Sequence, residues 1–122
     1  METTLESEAS ASVGKPWGSF ESLFTNFGEG QLSAKIIRIN PGSRLSLQTH
    51  RRRSETWFVV DGTVHVQVGK KRLYVPAGGV VSVPAGVRHR MGSSRGATVL
   101  EVSRGHFDED DITRIEDDYG RA

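Results

Sequence analysis

Four residues with the side chains of metal ligands stand at short, regular intervals: Gln48, His50, Glu55 and, behind the turn Pro84-Ala85-Gly86, His89. One carboxylate, one neutral amide and two imidazoles make a borderline-hard donor set for one divalent metal ion. Zinc is the first expectation, with manganese, cobalt, nickel or iron as alternatives, and water or substrate completes the shell. The chain contains no cysteine, which removes thiolate ligation and any disulfide framework.

Such residues must be held in place by strands. β-Branched segments of strand length alternate with Gly, Pro, Asp and Ser clusters, and predict strands at Ala34–Asn40, Leu45–His50, Glu55–Asp61, Thr63–Val68, Lys71–Val75, Val80–Val83, His89–Gly92 and Thr98–Ser103. Turns are expected at Asn40-Pro41-Gly42, Asp61-Gly62, Val68-Gly69-Lys70 and Pro76-Ala77-Gly78-Gly79. Short strands, tight turns and almost no helical periodicity predict an all-β sandwich or barrel whose edges are managed by closure or double-sheet packing. Asp108–Ile115 is the one helical candidate. Residues two apart on a strand share a face. Arg44, Ser46, Gln48 and His50 therefore form one row, Glu55, Trp57 and Val59 a second, and Glu101 and Ser103 a third. The opposite row, Leu45 and Leu47, then needs cover from the N-terminal segment, a second sheet or a second subunit, and on that ground a homodimer is expected.

A chain of 122 residues buries one core. A single domain is expected over residues 15–122, ending in an acidic tail, with residues 1–14 a disordered segment too poor in apolar surface to offset ordering entropy. The formal charge of +1 hides a partition, because residues 15–107 carry 14 Lys and Arg against 5 Asp and Glu, while residues 108–122 carry 7 acids against 2 Arg. A basic body implies an anionic partner. Arg51-Arg52-Arg53 and Lys70-Lys71-Arg72 lack interleaved aromatics and accompany no nucleic-acid-binding motif, so a small phosphorylated molecule is favoured over nucleic acid. The acidic start and the absence of any run of eighteen apolar residues predict a soluble, cytoplasmic protein with no membrane partner.

The residues also carry a resemblance. Gly42, Gln48, His50, Glu55 and Gly62 have the spacing of the first cupin motif, with Gln in place of its usual first His, and Gly78, Pro84-Ala85-Gly86 and His89 have that of the second. Lys15-Pro16-Trp17-Gly18-Ser19-Phe20, Pro41-Gly42-Ser43-Arg44-Leu45-Ser46-Leu47-Gln48, Arg53-Ser54-Glu55 and Glu116-Asp117-Asp118-Tyr119-Gly120-Arg121 together look like the type II phosphomannose isomerase cupin, over nearly the whole chain after Gly14. That family usually carries this cupin after a mannose-1-phosphate guanylyltransferase domain, whose nucleotide loop these residues do not contain. Nucleotidyl transfer by these residues alone is not expected. Departures lie at Arg51 and Arg52, where the family has His, at Thr56, where His often follows the Glu, and at Ser93, in place of Asn.

The resemblance implies a cupin-type double-stranded β-helix, or jelly-roll barrel, with Gln48, His50, Glu55 and His89 as metal ligands. It also implies interconversion of mannose 6-phosphate and fructose 6-phosphate by proton transfer through a cis-enediol, the metal acting as Lewis acid. Glu101 is the first candidate for the base and Arg44 for substrate orientation, both as catalytic residues. Lys15, Arg88 and Arg90 are candidates for the phosphate. Trp17, Phe20 and Trp57 are sugar-stacking candidates that core packing explains equally well. His65 is expected on the solvent side and His106 in a polar terminal segment. The alternatives are a non-catalytic sugar- or metabolite-binding cupin, consistent with the altered residues at 51, 52 and 56, and an Fe-dependent cupin oxygenase, disfavoured because Gln48 replaces an imidazole.

Overall fold

The computed structural model describes residues 11–122, and these contain eleven strands and no helix. In chain order they are β1 (Ser12–Lys15), β2 (Gly18–Phe27), β3 (Leu32–Ile39), β4 (Ser43–Arg44), β5 (Leu47–Thr49), β6 (Ser54–Val68), β7 (Lys71–Pro76), β8 (Val80–Val83), β9 (His89–Ser93), β10 (Ala97–Arg104) and β11 (Thr113–Glu116). Every pairing is antiparallel. One sheet runs β1-β2-β3-β10-β6-β8; the other runs β7-β6-β9-β5-β11, with β4 also on β9. β6 belongs to both, and the two sheets curl around one interior. This is the cupin-type double-stranded β-helix.

The shared strand corrects a sequence expectation. Glu55–Asp61 and Thr63–Val68, predicted as two strands joined by a turn at Asp61-Gly62, are one bent strand of 15 residues. Its first half pairs with β10 and β8 and its second half with β7 and β9. Gly62 makes the corner, at φ 79°, where a Cβ would lie 2.5 Å from the Gly96 carbonyl oxygen. Only glycine fits both the conformation and the space.

Alternation holds along β10, where Ala97, Val99, Glu101 and Ser103 are buried and the residues between them are not. The interior is filled by Trp57, Val59, Val64, Val66, Ile37, Val99 and Met91, with Trp17 and Phe20 at one end. Burial of such side chains contributes roughly 1.5–3 kcal/mol each.

Three further expectations change. Leu45–His50 is interrupted, since β4 ends at Arg44 and β5 begins at Leu47. The break shifts the alternation, so Leu45 packs against the core and lines the interior while Leu47 is itself only 5% exposed within the single chain. The leucine pair therefore supplies no uncovered row for a second subunit. Asp108–Ile115 is not helical: it turns at Asp108 and enters β11, which pairs with β5. Its acids find better partners across the molecule than along a helix. Finally, the segment expected to be disordered over 1–14 contributes Ser12–Gly14 to β1, paired with β2; residues 1–10 of that expectation lie outside the described residues.

Candidate metal centre

Three strands converge on the predicted ligands. Glu55 opens the inward row of β6, followed by buried Trp57 and Val59. Gln48 on β5 stands opposite His89 on β9 in the ladder. Gly86, at φ 82°, donates its N–H to the His50 carbonyl at 2.7 Å, so the turn before His89 is tied to the loop that carries His50. His50, Glu55 and His89 are all buried, and their ligand atoms lie within 4.8 Å of one another. His50 Nε2 is 3.3 Å and His89 Nε2 3.6 Å from the Glu55 carboxylate. Gln48 lines the same cavity, its amide nitrogen resting 3.5 Å from the Ser46 carbonyl oxygen.

Both histidines are set in one tautomer. His50 Nδ1 lies 2.7 Å from the Asp111 carbonyl oxygen and His89 Nδ1 2.9 Å from that of Val87. A carbonyl only accepts, so each Nδ1 carries a proton and each Nε2 is the ring nitrogen turned toward Glu55. Burial, and then the neighbouring Arg53 guanidinium, lower the His50 pKa from 6.5 to about 4. The centre thus turns two imidazole Nε2 atoms toward one carboxylate, with the Arg53 guanidinium already beside two of the three groups. The donor set fits a divalent metal.

Donors already attend part of it. Trp57 Nε1 donates to Glu55 Oε1 at 3.0 Å, Arg53 Nε to Glu55 Oε2 at 3.3 Å, and Arg53 Nη2 to His50 Nε2 at 3.2 Å. The Arg53 guanidinium stacks on Phe107 at 4.4 Å. Glu101 lies on the same cavity wall, 3.6 Å from Lys35 Nζ. Burial raises its pKa first and the Glu55 carboxylate second, against the opposing pull of Lys35.

The cavity around these groups, counted with its opening to solvent, has a volume of about 380 Å³. It continues through Trp17, Lys35, Leu45, Gln48 and Arg53 into a mouth of about 580 Å³, where Lys15 and, from the C-terminal segment, Arg114 and Arg121 appear.

Of the predicted site residues, Gln48, His50, Glu55, His89, Arg90 and Glu101 are brought together and Lys15 stands at the mouth. Arg44 is not: the break after β4 turns it outward, where it forms a two-pronged pair with Asp118 at 2.6 and 2.8 Å. Arg88 is exposed, and its carbonyl receives the Gly69 N–H. Arg90 is buried in the wall of the ligand cavity, with Nε on the Leu45 carbonyl, Nη1 on Glu116 and Nη2 without a partner among the described residues. Trp57 holds Glu55 and the His89 ring edge, 5.7 Å between centroids, which makes it a support for the ligands. Trp17 and Phe20 belong to both core and cavity wall. His65 lies on the outer face with Arg44 and Tyr74, and His106 is exposed.

Sequence reasoning passed over Arg53, Lys35, Asp111 and Arg114. For Arg53 the signal was available, since it precedes Glu55 and Trp57 at intervals of two. Lys35 likewise alternates with Ile37 and Ile39. Nothing local marks Asp111 or Arg114.

The family profile described as mannose-6-phosphate isomerase C-terminal matches residues 2–117. The xanthan biosynthesis protein XanB of Xanthomonas campestris pv. campestris is 39% identical over 114 residues, covering 90% of this chain and 24% of XanB. The alginate biosynthesis protein AlgA of Pseudomonas aeruginosa is 38% identical over 121 residues, covering 96% and 24%. Mannose-1-phosphate guanylyltransferase ManC of Salmonella typhimurium is 33% identical over 114 residues, covering 90% and 23%. The chain spans about a quarter of the length of these relatives. Among solved structures, oxalate decarboxylase from Bacillus subtilis superimposes with a TM-score of 0.76 at 19% identity over 88% of this chain and 30% of that one. KdgF from Halomonas sp. does so at 0.74 and 14%, over 84% and 94%; both likenesses concern the fold alone. With a buried His-Glu-His centre inside a cupin barrel and a family match over nearly its whole length, the chain belongs to the mannose-6-phosphate isomerase C-terminal family.

Proposed function

We propose that this domain is a metal-dependent aldose–ketose isomerase that interconverts mannose 6-phosphate and fructose 6-phosphate. The observation that carries the reading is a convergent, buried ligand set sharing one cavity with a carboxyl group whose pKa is raised. Gln48, His50, Glu55 and His89 would hold a divalent ion, zinc being the first to test. When bound, that ion supplies Lewis-acid polarisation of the substrate's C1 and C2 oxygens.

The chain's own residues account for the rest. Glu101, as carboxylate, takes the C2 proton of the open-chain aldose while the C2–H pair forms the C1=C2 bond and the C1=O π pair moves onto O1; a proton passes from O2 to O1 across the cis-enediol, and the O2 pair then forms the C2 carbonyl as Glu101 returns its proton to C1, giving the ketose. A carboxyl with a raised pKa suits both directions, because it is a stronger base when ionised and keeps its proton nearer neutrality. Lys35 at 3.6 Å limits the rise. Arg53, rather than Arg44, offers donors to the developing negative oxygen. Lys15 stands on the phosphate side.

A second reading, a sugar-phosphate-binding domain without turnover, is favoured by Arg53 itself, whose guanidinium already bonds to Glu55 and His50. Incubating the metal-loaded protein with mannose 6-phosphate and following fructose 6-phosphate separates the two. Turnover abolished by Glu101→Gln supports the isomerase. Saturable binding with no turnover for zinc, manganese, cobalt, nickel or iron sinks it in favour of the second reading.

A further inference from the structure

The cavity mouth contains more positive charge than its acids balance. Five cations line it, Lys15, Lys35, Arg53, Arg114 and Arg121, against the single carboxylate of Glu109. Three of the five are engaged elsewhere: Lys35 with Glu101, Arg53 with Glu55, and Arg121 with Asp117 through bonds of 2.8 and 2.9 Å. Among the described residues, Lys15 and Arg114 form no ion pair, and Arg114 Nε is buried without any hydrogen-bond partner.

The register explains how a residue so late in the chain reaches the site. His89 of β9 pairs with Gln48 of β5, and Gln48 pairs with Arg114 of β11. Directly paired residues present their side chains on one face, so two ligands and an arginine form a single row across three strands. Two inter-strand steps separate the ends of that row, about 9–10 Å of backbone, which is commensurate with a sugar carrying a terminal substituent. A guanidinium N–H buried without an acceptor, as at Arg114 Nε, carries a desolvation cost that an incoming anion removes. Its planar fork matches a phosphoryl group in a way that a single ammonium does not.

We propose that the C-terminal strand completes an anion clamp at the cavity mouth, in which Arg114 and Lys15 hold the phosphomonoester group of the ligand. The identity of the ligand as a sugar phosphate rests on the isomerase reading, whereas the clamp as an anion site does not. Arg88, exposed and outside the cavity, has no part in it.

Calorimetric titration of the metal-loaded protein with inorganic phosphate, mannose 6-phosphate and unphosphorylated mannose tests the clamp. Arg114→Gln is expected to weaken both phosphate ligands by roughly 10- to 100-fold, with metal content and mannose binding unchanged. Arg114→Lys should recover part of the loss, Lys15→Gln should show a smaller loss of the same kind, and Arg88→Gln none. If Arg114→Gln does not fold, the Arg114→Lys and Lys15→Gln losses carry the test. Wild-type affinity for phosphate in these variants, an equal loss for mannose, or no phosphate binding by the wild type overturns the clamp. Arg114-dependent phosphate binding without isomerisation leaves the clamp standing and removes the isomerase. Isomerisation whose KM ignores Arg114→Gln does the reverse.

Discussion

Glu55 is where the site's chemistry and stability meet. Its two oxygens face both histidines and accept bonds from Trp57 and Arg53, so one carboxylate satisfies a buried guanidinium and completes a ligand set. Glu55→Gln keeps the shape and removes the charge. Metal content measured by elemental analysis is expected to fall to a small fraction of wild type. In metal-free protein the Arg53 cation loses its counter-charge, and denaturant unfolding should show a loss of about 3 kcal/mol. Full metal content in this variant would remove Glu55 from the ligand set. Much of the residue scale was legible: His50, Glu55 and His89 converge as their spacing predicts, and Arg53 stood in view because alternation puts it beside Glu55. Arg44 misled because alternation was extended through Leu45 and Ser46, where the backbone breaks phase.

The elements that position these residues are less legible, and for a physical reason. Strand segments such as Val80–Val83 are written in local composition, and its bounds are those predicted. The choice of partner is not local. β11 adds to β5 across more than sixty residues, and on the way Asp111 places its carboxylate on the Arg51 and Arg52 N–H groups, each at 2.9 Å, and its carbonyl on His50 Nδ1. Acids that suggested a helix end or a solvated tail are thus the brace of the ligand loop. Asp111→Ala should cost about 1 kcal/mol, since both amides regain water. It should also lower metal affinity by roughly 10-fold by loosening His50, as read by competition with a chromophoric chelator. Asp110→Ala, next door, should leave both quantities unchanged. Equal effects from the two substitutions would show that the loop's charge, and not its bonds, sets His50.

At the scale of the whole molecule, the acidic end folds onto the chain's own basic body, Asp118 on Arg44 and Glu116 on Arg90. The Arg44–Asp118 pair is exposed on both sides and Glu116 is exposed over a buried Arg90, so these pairs steer the fold-back more than they stabilise it, and the response of stability to pH is set in the interior. His50 and Glu101 pull in opposite directions there. The folded-state pKa of His50 is depressed, from 6.5 to about 4. Its contribution is therefore complete above pH 6.5 and is lost as pH falls toward 4, by roughly 3 kcal/mol at most for a shift of that size. Glu101 is raised by burial and by Glu55, so its contribution is complete below the ordinary carboxyl range and is lost as pH rises toward its folded value. On acidification from pH 6.5 to 4 the first destabilises while the second compensates. Asp117 and Asp118, held low chiefly by hydrogen bonds from Arg121 and Arg44, titrate below this window. Denaturant midpoints of metal-free protein between pH 7 and 4 should therefore fall more steeply in Glu101→Gln than in wild type, and less steeply in His50→Gln. Parallel curves for all three proteins would mean that neither buried group carries the acid response.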